Sequence, residues 1–96
     1  MDETLREAIL DALHRHGRAA TYGAVAGLVA ATARNVMKTA RQSDQCSWVV
    51  SAGTKRPTGY PPHRIDPRLP ESVERHGVLR NPEELQDWLA SVGAEL

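Results

Sequence analysis

The 96-residue sequence balances 12 Lys and Arg against 12 Asp and Glu, and is 41% hydrophobic without a single Phe. That length gives one domain, residues 1–96, with a modest aliphatic core helped by Trp48, Trp88, Tyr22 and Tyr60, and leaves no room for separate cofactor and substrate lobes. A net charge of zero excludes a uniformly basic nucleic-acid binder. The charge is nevertheless segregated: Arg18, Arg34, Lys38, Arg41, Lys55, Arg56 and Arg64 face Asp44 alone through the middle, while both ends are acidic. A dipolar molecule of this kind can meet a polyanion with one face and stay solvated on the other.

The first expected element is a helix capped by Asp2 or Thr4, with Leu5, Ile9, Ala12 and Leu13 on one stripe and Gly17 ending it. Ala19 to Thr21 read as a short extended link. From Thr21 to Val36 the pattern is two short helices around a tight turn. Tyr22 opens the first, where Val25, Leu28 and Val29 recur at helical spacing, and Thr32 caps the second, where Ala33, Val36 and Ala40 share a face. The opposite face presents Arg34, Lys38 and Arg41, a set suited to phosphates or to solvent. This is a helix-turn-helix over about residues 22–42.

Ser47-Trp48-Val49-Val50-Ser51 is β-branched and aromatic, and Gly53 through Tyr60 supplies a turn and a returning segment, so a hairpin with a basic tip is expected over about 46–60. The fold class is then mainly α with a small β hairpin, a winged helix-turn-helix, with Lys55 and Arg56 as wing contacts. Pro61, Pro62, Pro67 and Pro70 predict an irregular wrapping loop. Asn81-Pro82-Glu83-Glu84 is a helix start, and Leu85, Trp88, Leu89 and Val92 form that helix's apolar face.

Chemistry-bearing residues are few. Cys46 is the single cysteine, which excludes an intramolecular disulfide and fits a reducing compartment. With no signal peptide, transit segment or long apolar run in view, the expected location is the cytoplasm. His14 and His16 point to different sides of a helix, and His63 and His76 lack partners at zinc-ligand spacing, so neither metal nor cofactor is expected.

Thr21-Tyr22-Gly23 with Val25-Ala26, Ala33-Arg34-Asn35-Val36, and Cys46-Ser47-Trp48-Val49-Val50 through Gly59-Tyr60 together resemble the DNA-binding domain of O6-alkylguanine-DNA alkyltransferases and their non-enzymatic relatives, the alkyltransferase-like proteins. The resemblance covers roughly residues 5–60. It implies that Tyr22 crowds the phosphate beside a damaged nucleotide while Arg34 enters the base stack, flipping the lesion out through the minor groove. Tyr22, Thr32, Arg34, Asn35, Lys38, Arg41, Lys55 and Arg56 are the implied DNA contacts, and Tyr22, Arg34, Cys46, Trp48 and Tyr60 the implied lesion pocket. The implied partners are duplex DNA carrying alkylated guanine and nucleotide-excision repair proteins, with the chain a monomer and no membrane involved.

The sequence departs from the active enzymes around the cysteine. Gln45 precedes Cys46 and Ser47-Trp48 follow, where the family pattern places Pro before and His-Arg after. An ordinary thiol, with a pKa of about 8.5, is mostly protonated at neutral pH, and serine cannot replace an imidazole as its base. Using Pro62-His63-Arg64 as the box puts proline at the cysteine position instead. The expectation is therefore a binder that recognises alkylated guanine without repairing it. The alternatives are a suicide methyltransferase acting through Cys46, and a winged-helix module that binds ordinary DNA or a protein.

Overall fold

The computed structural model describes residues 2–38 and 46–94. Helix α1 spans Glu3–His16 because Asp2 caps it, its carboxylate accepting the Leu5 N–H at 2.9 Å, and because Gly17 terminates it in the left-handed conformation at φ 66°. Ile9, Leu10, Ala12 and Leu13 are its buried stripe.

Strand β1, Ala19–Thr21, follows at once and runs through the middle of a three-stranded parallel sheet. On one side lies β2, Val49–Val50, with Ala20 opposite Val49 and Thr21 opposite Val50. On the other lies β3, Val78–Leu79, with Ala19 opposite Val78 and Ala20 opposite Leu79. All seven strand residues are buried, as a parallel sheet covered on both faces requires.

This sheet corrects the expected hairpin. Val49–Val50 pair in parallel with β1 rather than antiparallel with a returning strand, and residues 51–60 hold no strand. Instead the chain closes a tight loop in which the Ser51 N–H donates to the Arg56 carbonyl at 3.0 Å and the Lys55 N–H to the Ser51 carbonyl at 2.8 Å. Pro57 has no N–H for a ladder, and Lys55 at φ 58° turns the backbone away from an extended path.

Helix α2, Tyr22–Leu28, starts directly from β1 under the Thr21 cap. The second helix of the expected pair takes a different form. Residues 33–38 form turns, closed by the Thr32 carbonyl accepting from the N–H groups of Asn35 and Val36 at 3.0 Å each. Val36 is fully buried, whereas Ala33, expected on the same inward face, is exposed. Ala40 and Arg41 lie outside the described residues; among the described residues α2 is followed by turns over 33–38, and a second helix is not shown.

The proline-rich stretch is also more regular than expected. Pro62–Arg64 make one 3₁₀ turn, and α3 spans Leu69–His76 with Pro70 in its first turn, where the missing N–H has no helical acceptor to lose. Helix α4, Pro82–Ser91, is capped by Asn81, whose side chain accepts the Glu84 N–H at 2.8 Å. Leu85 and Leu89 face the core, and Trp88 meets His16 of α1 edge to face at 5.8 Å.

Helix α4 approaches α2 closely through Gly27. A Cβ at that position would lie 2.1 Å from Cγ of Pro82. Among the described residues no helix is long and apolar enough to cross a membrane.

Candidate functional site

The site begins at the junction of β1 and α2. The Thr21 hydroxyl accepts the Ala24 N–H at 3.1 Å and donates to the Arg80 carbonyl at 3.2 Å, fixing the start of α2 against the end of β3. Tyr22, the first residue of α2, is thereby held with its ring half-buried against the core. Its Oη accepts the backbone N–H of Thr58 at 2.8 Å. A phenol used as an acceptor keeps its own proton for a second partner.

The opposite wall is the turn 33–38, anchored from two sides. Val36 plugs into the core, and its carbonyl accepts a hydrogen bond from Nη1 of Arg6 at 3.0 Å. Arg6 sits on α1 and is only 4% exposed, its Nη2 reaching Oε1 of Glu7 at 3.2 Å. A guanidinium that far from water needs such partners to offset its lost hydration.

Between these walls is a cavity of about 440 Å³, within the size range of ligand clefts. Tyr22, Arg34, Asn35, Lys38 and Thr58 supply its polar lining and Ala33 and Met37 its apolar part, with no carboxylate among them. Arg34 and Lys38 are exposed, and neither has an ion-pair partner among the described residues. Among the described residues the cavity is therefore an electropositive recess with one phenol and one side-chain amide.

Other expected site residues lie elsewhere. Thr32 is exposed at the start of the turn but off the cavity wall. Arg41 is outside the described residues. Lys55 and Arg56 line a separate groove, to which Thr58 does not contribute. Tyr60 is half-buried and packs on the core.

Cys46 and Trp48 also fall outside the cavity. They open and close a 3₁₀ turn at the start of β2, with Cys46 7% exposed and Trp48 fully buried. Trp48 belongs to the core, beneath the guanidinium of Arg68 at 5.2 Å and beside Gly17. The reason is the parallel pairing of Val49–Val50, which draws the residues before it inside instead of leaving them on a projecting wing.

Next to this turn lies a charged cluster that sequence pattern alone does not bring together. Asp66, 4% exposed, is gripped by Arg68: Nε reaches Oδ1 at 3.2 Å, Nη2 reaches Oδ2 at 2.9 Å, and the backbone N–H of Arg68 donates to Oδ1 at 2.9 Å. His14 Nδ1 stands 3.5 Å from Oδ2, and Ser47 Oγ accepts the Asp66 N–H at 3.0 Å. Burial pushes the Asp66 carboxyl up, but the hydrogen bonds and charge of Arg68 outweigh it and hold the group below its ordinary 3.8. Arg68 is raised in turn, chiefly by its hydrogen bond to Asp66. Arg68 Nη2 also donates to the His14 carbonyl at 2.8 Å, so the cluster ties the C-terminal half to the end of α1.

Asp-Pro-Arg before a helix is the one sequence signal for this cluster. Its position suits structure rather than chemistry, because the Asp66 carboxylate is already filled by donors. No protein-family model, curated protein or solved structure matches the chain.

Proposed function

We propose that this chain is a non-enzymatic DNA-binding protein of the alkyltransferase-like type, which recognises alkylated guanine in a duplex by flipping the nucleotide. The observation that carries the reading is the meeting of Tyr22, Arg34 and Lys38 around one recess that has no acid among the described residues of its lining. Two exposed cations without carboxylate partners among the described residues favour phosphate oxygens, and a guanidinium at the mouth can both stack and hydrogen-bond in a vacated base position. The phenol, already accepting from Thr58, has a proton to donate to a phosphate.

Cys46 supports binding rather than transfer. It is buried, it lies off the cavity wall, and the residue directly after it is Ser47 rather than a histidine. A nucleophile must reach the reacting carbon, and this thiol faces the core.

Fluorescence titration with matched duplexes containing O6-methylguanine or guanine tests the proposal. Tighter binding to the lesion duplex is expected. Equal, weak binding to both overturns lesion recognition, and a methyl group found on Cys46 by peptide mass spectrometry after incubation with methylated DNA overturns the non-enzymatic part.

A further inference from the structure

The groove that takes Lys55 and Arg56 is a second recess of about 530 Å³, larger than the first and sharing none of its lining residues. Its cationic rim stands on the loop 51–56, which is closed by the hydrogen bonds between Ser51, Lys55 and Arg56 and further pinned by the Arg56 N–H donating to Thr54 Oγ1 at 3.3 Å. The facing wall is apolar. Pro62 opens the 3₁₀ turn and Ile65 directly follows it, and Pro70 and Val73 come from α3.

Pro62 and Pro70 are exposed, and Ile65 and Val73 are left half-covered. Neither Lys55 nor Arg56 has an ion-pair partner among the described residues. Asp66 is the one acidic residue in the lining, and its carboxylate is occupied by Arg68. The groove thus offers positive charge at the rim and aliphatic surface along the wall, with no free negative charge to oppose an anion.

We propose that this groove is a protein-docking site for a short acidic segment of a partner that places an aliphatic side chain against Ile65 and Val73 and its carboxylates against Lys55 and Arg56. Charge complementarity selects the acid, and the apolar wall selects a peptide over a nucleic-acid backbone, which would satisfy the cations yet leave Ile65, Val73 and the prolines facing water. Rigid proline rings and a hydrogen-bonded loop lower the ordering cost of forming such an interface. The docking site does not depend on the DNA reading, and it stands or falls separately.

Panning random dodecapeptides on phage against the full chain, then titrating the isotope-labelled chain with the synthetic consensus peptide, tests this. Enrichment of peptides combining an aliphatic residue with two or more acidic ones is expected, with amide shifts at Thr54, Lys55, Ile65 and Val73. The double variant Lys55→Glu/Arg56→Glu should weaken that peptide about tenfold or more while thermal unfolding stays unchanged. Should the double variant lose its fold, Arg56→Gln alone must still weaken the peptide measurably. No enrichment, enrichment of basic or neutral sequences, or equal binding by the variants overturns the proposal. So does a short duplex that shifts the same amides, which would assign the groove to DNA.

Discussion

Arg6 on α1 and the carbonyl of Val36 are joined across 30 positions of sequence by a 3.0 Å hydrogen bond, and that bond fixes the turn carrying Arg34 and Lys38. The turn has little regular structure of its own, so its geometry depends on the buried Val36 side chain and on this guanidinium. Replacing Arg6 by Met keeps much of the aliphatic stem but leaves the carbonyl without its donor. The expected cost is about 1–3 kcal/mol in urea denaturation, the usual penalty for a buried polar group left unsatisfied. Amide hydrogen exchange should accelerate at Asn35 and Val36 more than in α4, which separates loss of this anchor from general loosening.

Acid should expose the role of Asp66. Its carboxyl is held below 3.8 in the folded chain and titrates at its ordinary value when unfolded, so the folded state binds fewer protons across that interval. The stability it contributes is complete above the unfolded value and is lost as pH falls through the folded one. Asp66→Asn should therefore lower the melting temperature at neutral pH, leave it nearly unchanged at the acid end, and flatten the slope between. A melting temperature that falls equally for both proteins as pH drops would remove Asp66 from the acid response.

Capping chemistry made α1 and α4 legible. Asp2, Gly17 and Asn81-Pro82 announce their helix ends by local hydrogen bonding, and the ends fall where those residues sit. The sheet was not legible for the opposite reason. Ala19 and Ala20 have weak strand preference, and they are extended because β2 and β3 arrive on either side from far along the chain. Without sight of that pairing, Val49–Val50 read as half of a local hairpin; Trp48, expected to help build the core and placed in a pocket only by the resemblance, lies in the core. Pro70 was read as a barrier although the first turn of a helix tolerates it. In the candidate site, Tyr22, Arg34, Asn35 and Lys38 were visible because they lie close in sequence. Thr58, which completes the recess, comes from the segment expected to be a strand.

Gly27 tests how tightly α2 and α4 are fitted. On helix propensity alone, Gly27→Ala should stabilise by about 1 kcal/mol. The added Cβ would fall 2.1 Å from Pro82 Cγ, a distance no packing tolerates, so the helices must separate or α4 must shift at its first turn. Overpacking of this sort costs about 1–3 kcal/mol and sometimes more, which outweighs the propensity gain. A lower melting temperature for Gly27→Ala is expected, with partial recovery in Gly27→Ala/Pro82→Ala. A double-mutant cycle that finds the two changes additive would show that they do not touch.

Under the proposed function, variants at Tyr22 and Arg34 separate general DNA binding from recognition of a flipped base. Tyr22→Phe keeps the ring but removes the acceptor of the Thr58 N–H; because Thr58 is exposed, water replaces it and stability should fall by under about 1 kcal/mol. Affinity for a duplex should fall further than stability does, since under the proposed function the same oxygen carries the proton that would be offered to a phosphate. Arg34→Ala removes one cation, so the slope of log affinity against log salt should decrease by about 0.9 whatever the sequence. Arg34→Lys should restore that slope without restoring preference for the lesion duplex, because an ammonium neutralises phosphate but cannot stack in the place of a base. If Lys recovers both, Arg34 acts only as a charge, and discrimination must come from the walls of the recess around Tyr22 and Asn35.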